Sequence, residues 1–372
     1  MLFPWFISIL DGKSEQNVFK AKPLYFPMKL KQFQSHLQKE GIDLAFLVHP
    51  DPNIIYLTQM KPSFALLLIT PSSTELHLSK LDLPPKVSGI TVTYLQKDWE
   101  KKLTNAKIKK IGVNKSSLSL LYYEKLKKLY PKSELVDISS TLNQLRSQKT
   151  TDEIQKISKA CSITSQAFNA LTNKFSLHKF KTECDVAFFL EKFIREHDAE
   201  LAFPTIVASG KNSAVPHHVT SSAKLTKGFL QLDFGACYKN YCSDMSRVLY
   251  IGRPNKVEKE HYELLHNAQV KPIGEVAKNK PFTVLDKISR KHLGKFSSYF
   301  IHSLGHGVGV EIHEAPSFSE EAKQTIQPNQ IFTIEPGIYF PGKYGIRIED
   351  TLLFNRKAKI LTASPKELVM LK

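Results

Sequence analysis

Histidines and carboxylates gather in five short segments of this chain, where bulk composition gives no reason for them. These are PHH (216–218), LDFGACYKNYCSDMSR (232–247), HSLGHGVGVEIHE (302–314), TIEPGIY (333–339) and GIRIEDT (345–351). The second reads as a β-hairpin. Lys239-Asn240 supplies a two-residue turn, which sets Tyr238 opposite Tyr241, Cys237 opposite Cys242 and Gly235 opposite Asp244. Side chains alternate along a strand, so Asp233, Gly235 and Cys237 share a face with Cys242 and Asp244. Two aspartates thus stand diagonally near one another in apolar strands. Taking two like charges out of water raises both pKa values unless something compensates them. A divalent metal is the natural compensation. Hard oxygen ligands with a single imidazole suit Mn, Co, Fe or Zn, and a carboxylate-rich set can bridge two ions. Taken alone, either aspartate also reads as a bare turn residue, and each histidine as a packed or surface one.

The elements that must hold these groups follow from spacing. Thr150-Thr151-Asp152-Glu153 has the form of a capping box, and Ile154, Ile157, Cys161, Thr164, Phe168 and Leu171 then line one helical stripe, with Thr164 its only polar member. A second helix is expected after Thr182, with Val186, Leu190, Phe193 and Ile194 apolar. Strand patterns follow at 205–209, 229–238 and 241–250, helices return at about 257–278 and 283–294, and the last hundred or so residues read as strands between Gly and Pro turns. Helix pairs followed by strand hairpins occur twice, which hints at an internal duplication.

Ahead of a boundary near 147–150, residues 28–146 alternate helix and strand patterns. Residues 28–41 are helical by the spacing of Leu30, Phe33 and Leu37; strand-like runs follow at 42–48, 63–70, 90–95 and 110–114, with a helix around 117–129. This α/β unit has no dense cluster of histidines and carboxylates, so nothing in it looks catalytic. The organisation expected is an extension over 1–27, an α/β domain over 28–148 and a catalytic domain over 149–372. The apolar start MLFPWFISIL lacks a basic leader and a small-residue cleavage pattern, so it reads as an extension, and Met28 offers an alternative start.

The chain carries 52 Lys+Arg against 35 Asp+Glu, a formal +17. Residues 1–150 hold +10 and residues 151–372 hold +7, with the densest patches at Lys101, Lys102, Lys107, Lys109, Lys110 and at Lys125, Lys127, Lys128. No nucleic-acid-reading module accompanies them, so a solvated Lys-rich face is the reading and no specific nucleic-acid partner is expected. No apolar run is long enough to span a membrane, and the protein is expected to be soluble. Cys161, Cys184, Cys237 and Cys242 are too few and scattered for a secreted disulfide framework, which favours the cytoplasm. Cys237 and Cys242 read as two small buried residues, with a cross-strand disulfide as the alternative.

The order of the motifs adds to this reading. D-F-G-A, S-D-M-S-R, G-H-G-V-G, I-E-P-G and R-I-E-D, in that sequence, closely resemble the pita-bread metallopeptidases. That group contains Xaa-Pro dipeptidase (prolidase), aminopeptidase P, creatinase and methionine aminopeptidase. The likeness is dense over roughly 203–352, and GIDLAFLVHPDPNIIYLT resembles the opening of the family's N-terminal domain. The resemblance implies an α/β N-terminal domain followed by an α+β pita-bread catalytic domain. It further implies that Asp233 binds one metal, Asp244 bridges both, His306 and Glu335 bind the other, and Glu349 bridges. Two divalent ions are the cofactor expected, Mn foremost, with Co, Zn or Fe as alternatives. Such a pair lowers the pKa of a shared water and polarises the scissile carbonyl. Glu335 would move protons as general base and acid, while His217, His302 and His313 would line the substrate site. His217 and His313 are the candidates for stabilising the tetrahedral intermediate. Arg347 matches an arginine that steadies a carboxylate near the substrate. His218 is expected to point away from His217 if the segment is extended.

The additional N-terminal domain and intact ligand set favour an Xaa-Pro peptidase acting on short proline-containing peptides, as dipeptidase or aminopeptidase. Family dipeptidases often place a basic residue just after the H-E-x-P segment, where this chain has Ser317. Rival readings are a non-catalytic binding protein on the same fold and a metallopeptidase of non-proline specificity. Relatives are often dimers, so a homodimer is one expected state.

Overall fold

The computed structural model describes residues 26–371 apart from 86, 97, 98, 100–106, 177 and 319–322. Residues 1–25 of the expected extension, and Lys101 and Lys102, lie outside the described residues. The first helix, Phe26–Glu40, buries Leu30, Phe33 and Leu37 as their spacing predicts. It lies on a six-stranded mixed sheet ordered Thr91–Tyr94, Thr74–Leu78, Ala65–Ile69, Leu44–Val48, Lys110–Val113, Glu134–Asp137. The strands Leu44–Val48 and Ala65–Ile69 are buried at every position, which is why they read as unbroken apolar runs. Alternate residues face opposite ways: Ala45 and Leu47 meet the first helix and Leu142, while Phe46 and Val48 meet Leu126 and Tyr130. Two short helices, Pro52–Thr58 and Ser139–Ser147, and the strands Thr74–Leu78 and Glu134–Asp137 escaped the pattern reading, because each repeats its period fewer than three times.

The first two helix starts expected in the second part carry capping boxes. Thr150 and Glu153 exchange bonds at the head of Thr151–Lys174, and Thr182 and Asp185 do so at Glu183–Glu196. These helices cover one face of a four-stranded sheet, Val369–Leu371, Met245–Ile251, Gly228–Phe234, Ile206–Ser209, burying Leu230, Leu232, Phe234 and Leu249. A second helix pair, Lys256–Gly274 and Phe282–Leu293, buries Phe229, Val248, Phe332 and Leu352. Phe332 and Leu352 belong to a five-stranded sheet, Glu314–Ser317, His306–Gly307, Gln330–Ile334, Asp350–Asn355, Lys357–Ile360. A helix pair followed by an antiparallel strand pair thus occurs twice.

The hairpin has the register expected from its turn. Cys237 pairs with Cys242 and Tyr238 with Tyr241, and beyond a break Phe234 pairs with Met245 and Asp233 with Ser246. Lys239 and Asn240 both have positive φ, 49° and 69°, the backbone a type I′ turn requires. The break is built by the polar member of the helical stripe. Thr164, fully buried, shares a 2.7 Å hydrogen bond with Ser243 Oγ and accepts one from the Ala236 amide at 2.9 Å. At this bend a Cβ on Gly235 would sit 1.9 Å from the carbonyl oxygen of Ser243, so only glycine fits.

Candidate active site

Each expected ligand sits at or just beyond a strand end. Asp233 is near the end of Gly228–Phe234, Asp244 precedes Met245–Ile251, His306 opens its short strand, Glu335 follows Gln330–Ile334, and Glu349 lies between Tyr344–Arg347 and Asp350–Asn355. All five line one cavity of about 1280 Å³, together with His217, His302, His313 and Arg347. The nine residues singled out from sequence therefore meet in one place.

Nε2 of His306 lies 3.2 Å from Glu335 Oε1 and 3.5 Å from Asp244 Oδ2, while its Nδ1 faces the Gly307 carbonyl at 3.1 Å. The ligating atoms of Asp244, His306 and Glu349 all fall within 4.8 Å of one another. Asp233, Asp244 and Glu349 are buried, yet Asp233 Oδ1, Asp244 Oδ1 and Glu349 Oε1 have no hydrogen-bond partner. Buried acceptors are normally satisfied, and three orphaned carboxylate oxygens beside one imidazole form a set that fits hard divalent cations. The electrostatics agree. Burial, and then the charge of Asp233, pushes the Asp244 carboxyl well above its usual range; burial, and then Asp244, does the same to Glu349. Burial also opposes charge on Glu335, but the hydrogen bond and charge of His306 outweigh it and hold that carboxyl at about 2. The converse holds for His306, which burial would lower and Glu335 raises to about 9.

Arg347, together with residues that sequence reasoning missed, supports the expected ligands. Arg347, buried among them, donates to Asp233 Oδ2, to Tyr339 Oη at 2.7 Å and to Ser246 Oγ at 2.8 Å. Ser246 in turn donates to Glu349 Oε2 at 3.0 Å, and Thr333 donates to Glu335 Oε1 at 3.0 Å. Tyr339 Oη also lies 3.0 Å from His302 Nε2. Behind Glu349, Arg247 donates to the Glu349 carbonyl and to Asp350 Oδ1, which ties the strand after Glu349 to the strand after Asp244. Tyr339, Ser246 and Arg247 all lie inside the quoted segments, so proximity in sequence to a ligand was the available signal.

His217 is exposed to the cavity, and its neighbour His218 turns back to Glu183 at 2.8 Å; the segment is a turn, closed by the His218 amide on the Val215 carbonyl at 3.2 Å, and not the extended run expected. Glu183 is fully buried and also accepts from the Ser209 and Ser221 amides and from Asn212 Nδ2, which anchors the loop behind His217. The rings of His306 and His313 meet edge to face, 4.3 Å between centroids. Burial lowers the pKa of both His302 and His313.

Residues 155–356 match metallopeptidase family M24, and residues 29–148 match the creatinase/prolidase N-terminal domain. The chain belongs to metallopeptidase family M24. It is 35% identical over 349 residues to the Xaa-Pro dipeptidase of Pyrococcus horikoshii, spanning 92% of this chain and 98% of that one. The solved prolidase of Pyrococcus horikoshii OT3 superposes with a TM-score of 0.86 at 34% identity, over 92% of this chain and all of that one. The solved X-Pro aminopeptidase of Thermotoga maritima gives 0.80 at 29% identity, over 90% of this chain and all of that one. This M24 protein is a metallopeptidase that depends on divalent metal, and its second part has the family's pita-bread fold. Among the described residues no helix is long and apolar enough to cross a membrane. All four cysteines are free thiols, Cys237 and Cys242 facing each other across the hairpin.

Proposed function

We propose that this M24 metallopeptidase hydrolyses the bond between an N-terminal residue and proline in short peptides, with two divalent ions held by Asp233, Asp244, His306, Glu335 and Glu349. The observation that carries the reading is the convergence of these five side chains, with three orphaned carboxylate oxygens, on a cavity also reached by His217, His302 and His313. Asp233 would hold one ion, His306 and Glu335 the other, and Asp244 and Glu349 both. Such a pair, Mn foremost, supplies a nucleophilic water at neutral pH and polarises the scissile carbonyl.

The chain's own residues do the rest. Glu335 is ionised and fixed by His306 and Thr333, so it is placed to accept a proton from the attacking water and to return it to the departing proline nitrogen. His217 and His313 reach the cavity from opposite loops and donate to the oxygen of the tetrahedral intermediate. The lowered pKa of His313 keeps its imidazole neutral, with one N–H to give. His302, held by Tyr339, lines the substrate side. Arg347 acts by orienting Asp233. Free thiols throughout suit a reducing cytoplasm.

One observation favours aminopeptidase over dipeptidase action. Among the described residues lining the cavity, Arg347 is the sole Lys or Arg, and its guanidinium is engaged with Asp233, Tyr339 and Ser246. A dipeptide's buried terminal carboxylate needs a cation, whereas a longer peptide carries its carboxylate out of the site. Ala-Pro and Ala-Pro-Ala assayed side by side on Mn-loaded protein test the proposal. Cleavage of at least one is expected, and cleavage of the tripeptide alone would assign aminopeptidase specificity. No cleavage of either, with other dipeptides hydrolysed, would overturn the proline reading.

A further inference from the structure

Among the described residues the N-terminal domain contributes none to the cavity lining, yet two cations at its border reach the wall behind the site. Arg146, in the last turn of Ser139–Ser147, and Lys149, just beyond, are 2% and 3% exposed. Both point at Glu314, whose side chain is 2% exposed: Lys149 Nζ donates to Oε1 at 2.9 Å, and Arg146 Nη2 lies 3.0 Å from Oε2. Arg146 also donates to Glu311. The helix that carries Arg146 is anchored in the N-terminal domain by buried Leu142 and by Tyr56 Oη, which donates to the Leu145 carbonyl.

The run Glu311-Ile312-His313-Glu314 is therefore divided. Its two carboxylates turn to the cations of the domain border, while Ile312 and His313 line the cavity. The seat of Glu314 is cut to fit on the other side as well, since a Cβ on Gly309 would lie 2.2 Å from Glu314 Oε1. Gly309 follows the ligand His306 by three residues, and its carbonyl accepts from the Cys242 amide of the metal hairpin at 2.8 Å. A buried carboxylate that loses its cations is strongly disfavoured, so releasing this clamp would let the 311–314 segment rearrange toward water.

We propose that Arg146 and Lys149 are positioning residues for the reaction: they hold Glu314 in a dry seat behind the site and so keep its neighbour His313 aimed into the cavity. The inference rests on the reading that His313 acts on the substrate. It gives a part in catalysis to the N-terminal domain, none of whose described residues lines the cavity.

The test is a double-mutant cycle on the full-length, Mn-loaded protein with an Xaa-Pro peptide as substrate. Arg146→Met and Glu314→Gln are each made in the wild type and in His313→Ala, with kcat and KM resolved and bound metal measured. Misplacing a catalytic group by an ångström costs on the order of 100-fold, so a kcat loss of roughly 10- to 100-fold is expected in the wild type, with KM and metal content kept. In the His313→Ala background the same substitutions should cost nothing further, because a clamp that works through His313 has nothing left to position. Arg146→Lys should restore part of the rate. Equal losses in both backgrounds, loss of metal in step with rate, or no loss at all would overturn the clamp. Should Arg146→Met not fold, Glu314→Gln, which keeps the side chain's shape, reads the same clamp. Full activity of His313→Ala would overturn the reading of His313 itself, and the clamp with it.

Discussion

Arg347 and Asp233 form a buried ion pair in which the guanidinium takes one carboxylate oxygen, Oδ2, and leaves the other, Oδ1, without a hydrogen-bond partner. The arginine thereby sets which oxygen of Asp233 is presented to a metal. Its remaining donors are fixed by Tyr339 and Ser246, so the presentation does not depend on substrate.

Replacing Arg347 by Met should therefore weaken metal binding by about 10- to 100-fold, the usual cost of removing a residue that orients a ligand. Lysine at this position should recover only part of the loss, because a single ammonium cannot reproduce the fork. Calorimetric titration of metal-free protein with Mn²⁺ measures this directly, and wild-type affinity in Arg347→Met would refute it.

Metal should also stabilise the fold, since the oxygens of Asp233, Asp244 and Glu349 that lack a hydrogen-bond partner would gain one in a bound cation. Free metal at 100 times its Kd is worth about 2.7 kcal/mol to the native state. Protein stripped with a chelator should lose activity and melt several degrees lower, and Mn²⁺ should restore both. The Asp244→Asn variant should show neither response; a normal melting shift in that variant would count against Asp244 as a ligand.

Acid stability should depend on Asp350. Burial works against its charged form, but Arg247 and Lys366 outweigh burial and hold the carboxyl below its ordinary value. The native state thus binds this proton less readily than the unfolded chain. Its contribution is complete above the unfolded pKa of about 3.9 and disappears as pH falls through the lower native value. Asp350→Asn should cost about 3–5 kcal/mol at neutral pH, by stranding buried Arg247, and should flatten the acid limb of stability. Urea midpoints from neutral pH downward check both, and parallel curves for the two proteins would be inconsistent with this assignment.

Thr164 does not line the cavity but shapes the hairpin that carries Asp233 and Asp244. Thr164→Val keeps the volume, removes the bond to Ser243 and leaves the buried Ala236 amide with one partner fewer. A loss of about 1–3 kcal/mol is expected from denaturant midpoints. An unchanged midpoint would show that Ser243 alone can hold the bend.

Much of the site was legible in the primary structure because it rests on local rules. The turn Lys239-Asn240 sets the register, and period-two alternation then places Asp233 and Asp244 on one face. Capping residues Thr150 and Thr182 mark helix starts because their hydroxyls satisfy amides three residues away. The apolar stripe from Ile154 to Leu171 was visible from its helical spacing, whereas the bend that its one polar member, Thr164, holds in the hairpin was not. The short elements Pro52–Thr58 and Ser139–Ser147 were not legible, because fewer than three turns leave no period to read.

Residue types and their order by themselves pointed to the residues that converge on the cavity, to the two family regions and to the class of chemistry, since donor atoms set metal preference and a turn sets register. Only the tertiary structure decided how those donors are aimed. Arg347 meets Asp233 across 114 residues of chain, Arg247 meets Asp350 across 103, and Lys149 meets Glu314 across 165. Contacts at such separation follow from how the sheets and helices pack, and no local periodicity encodes them. The same packing places the cations of Arg146 and Lys149 against Glu314, beside His313, which joins the N-terminal domain to the wall of the cavity.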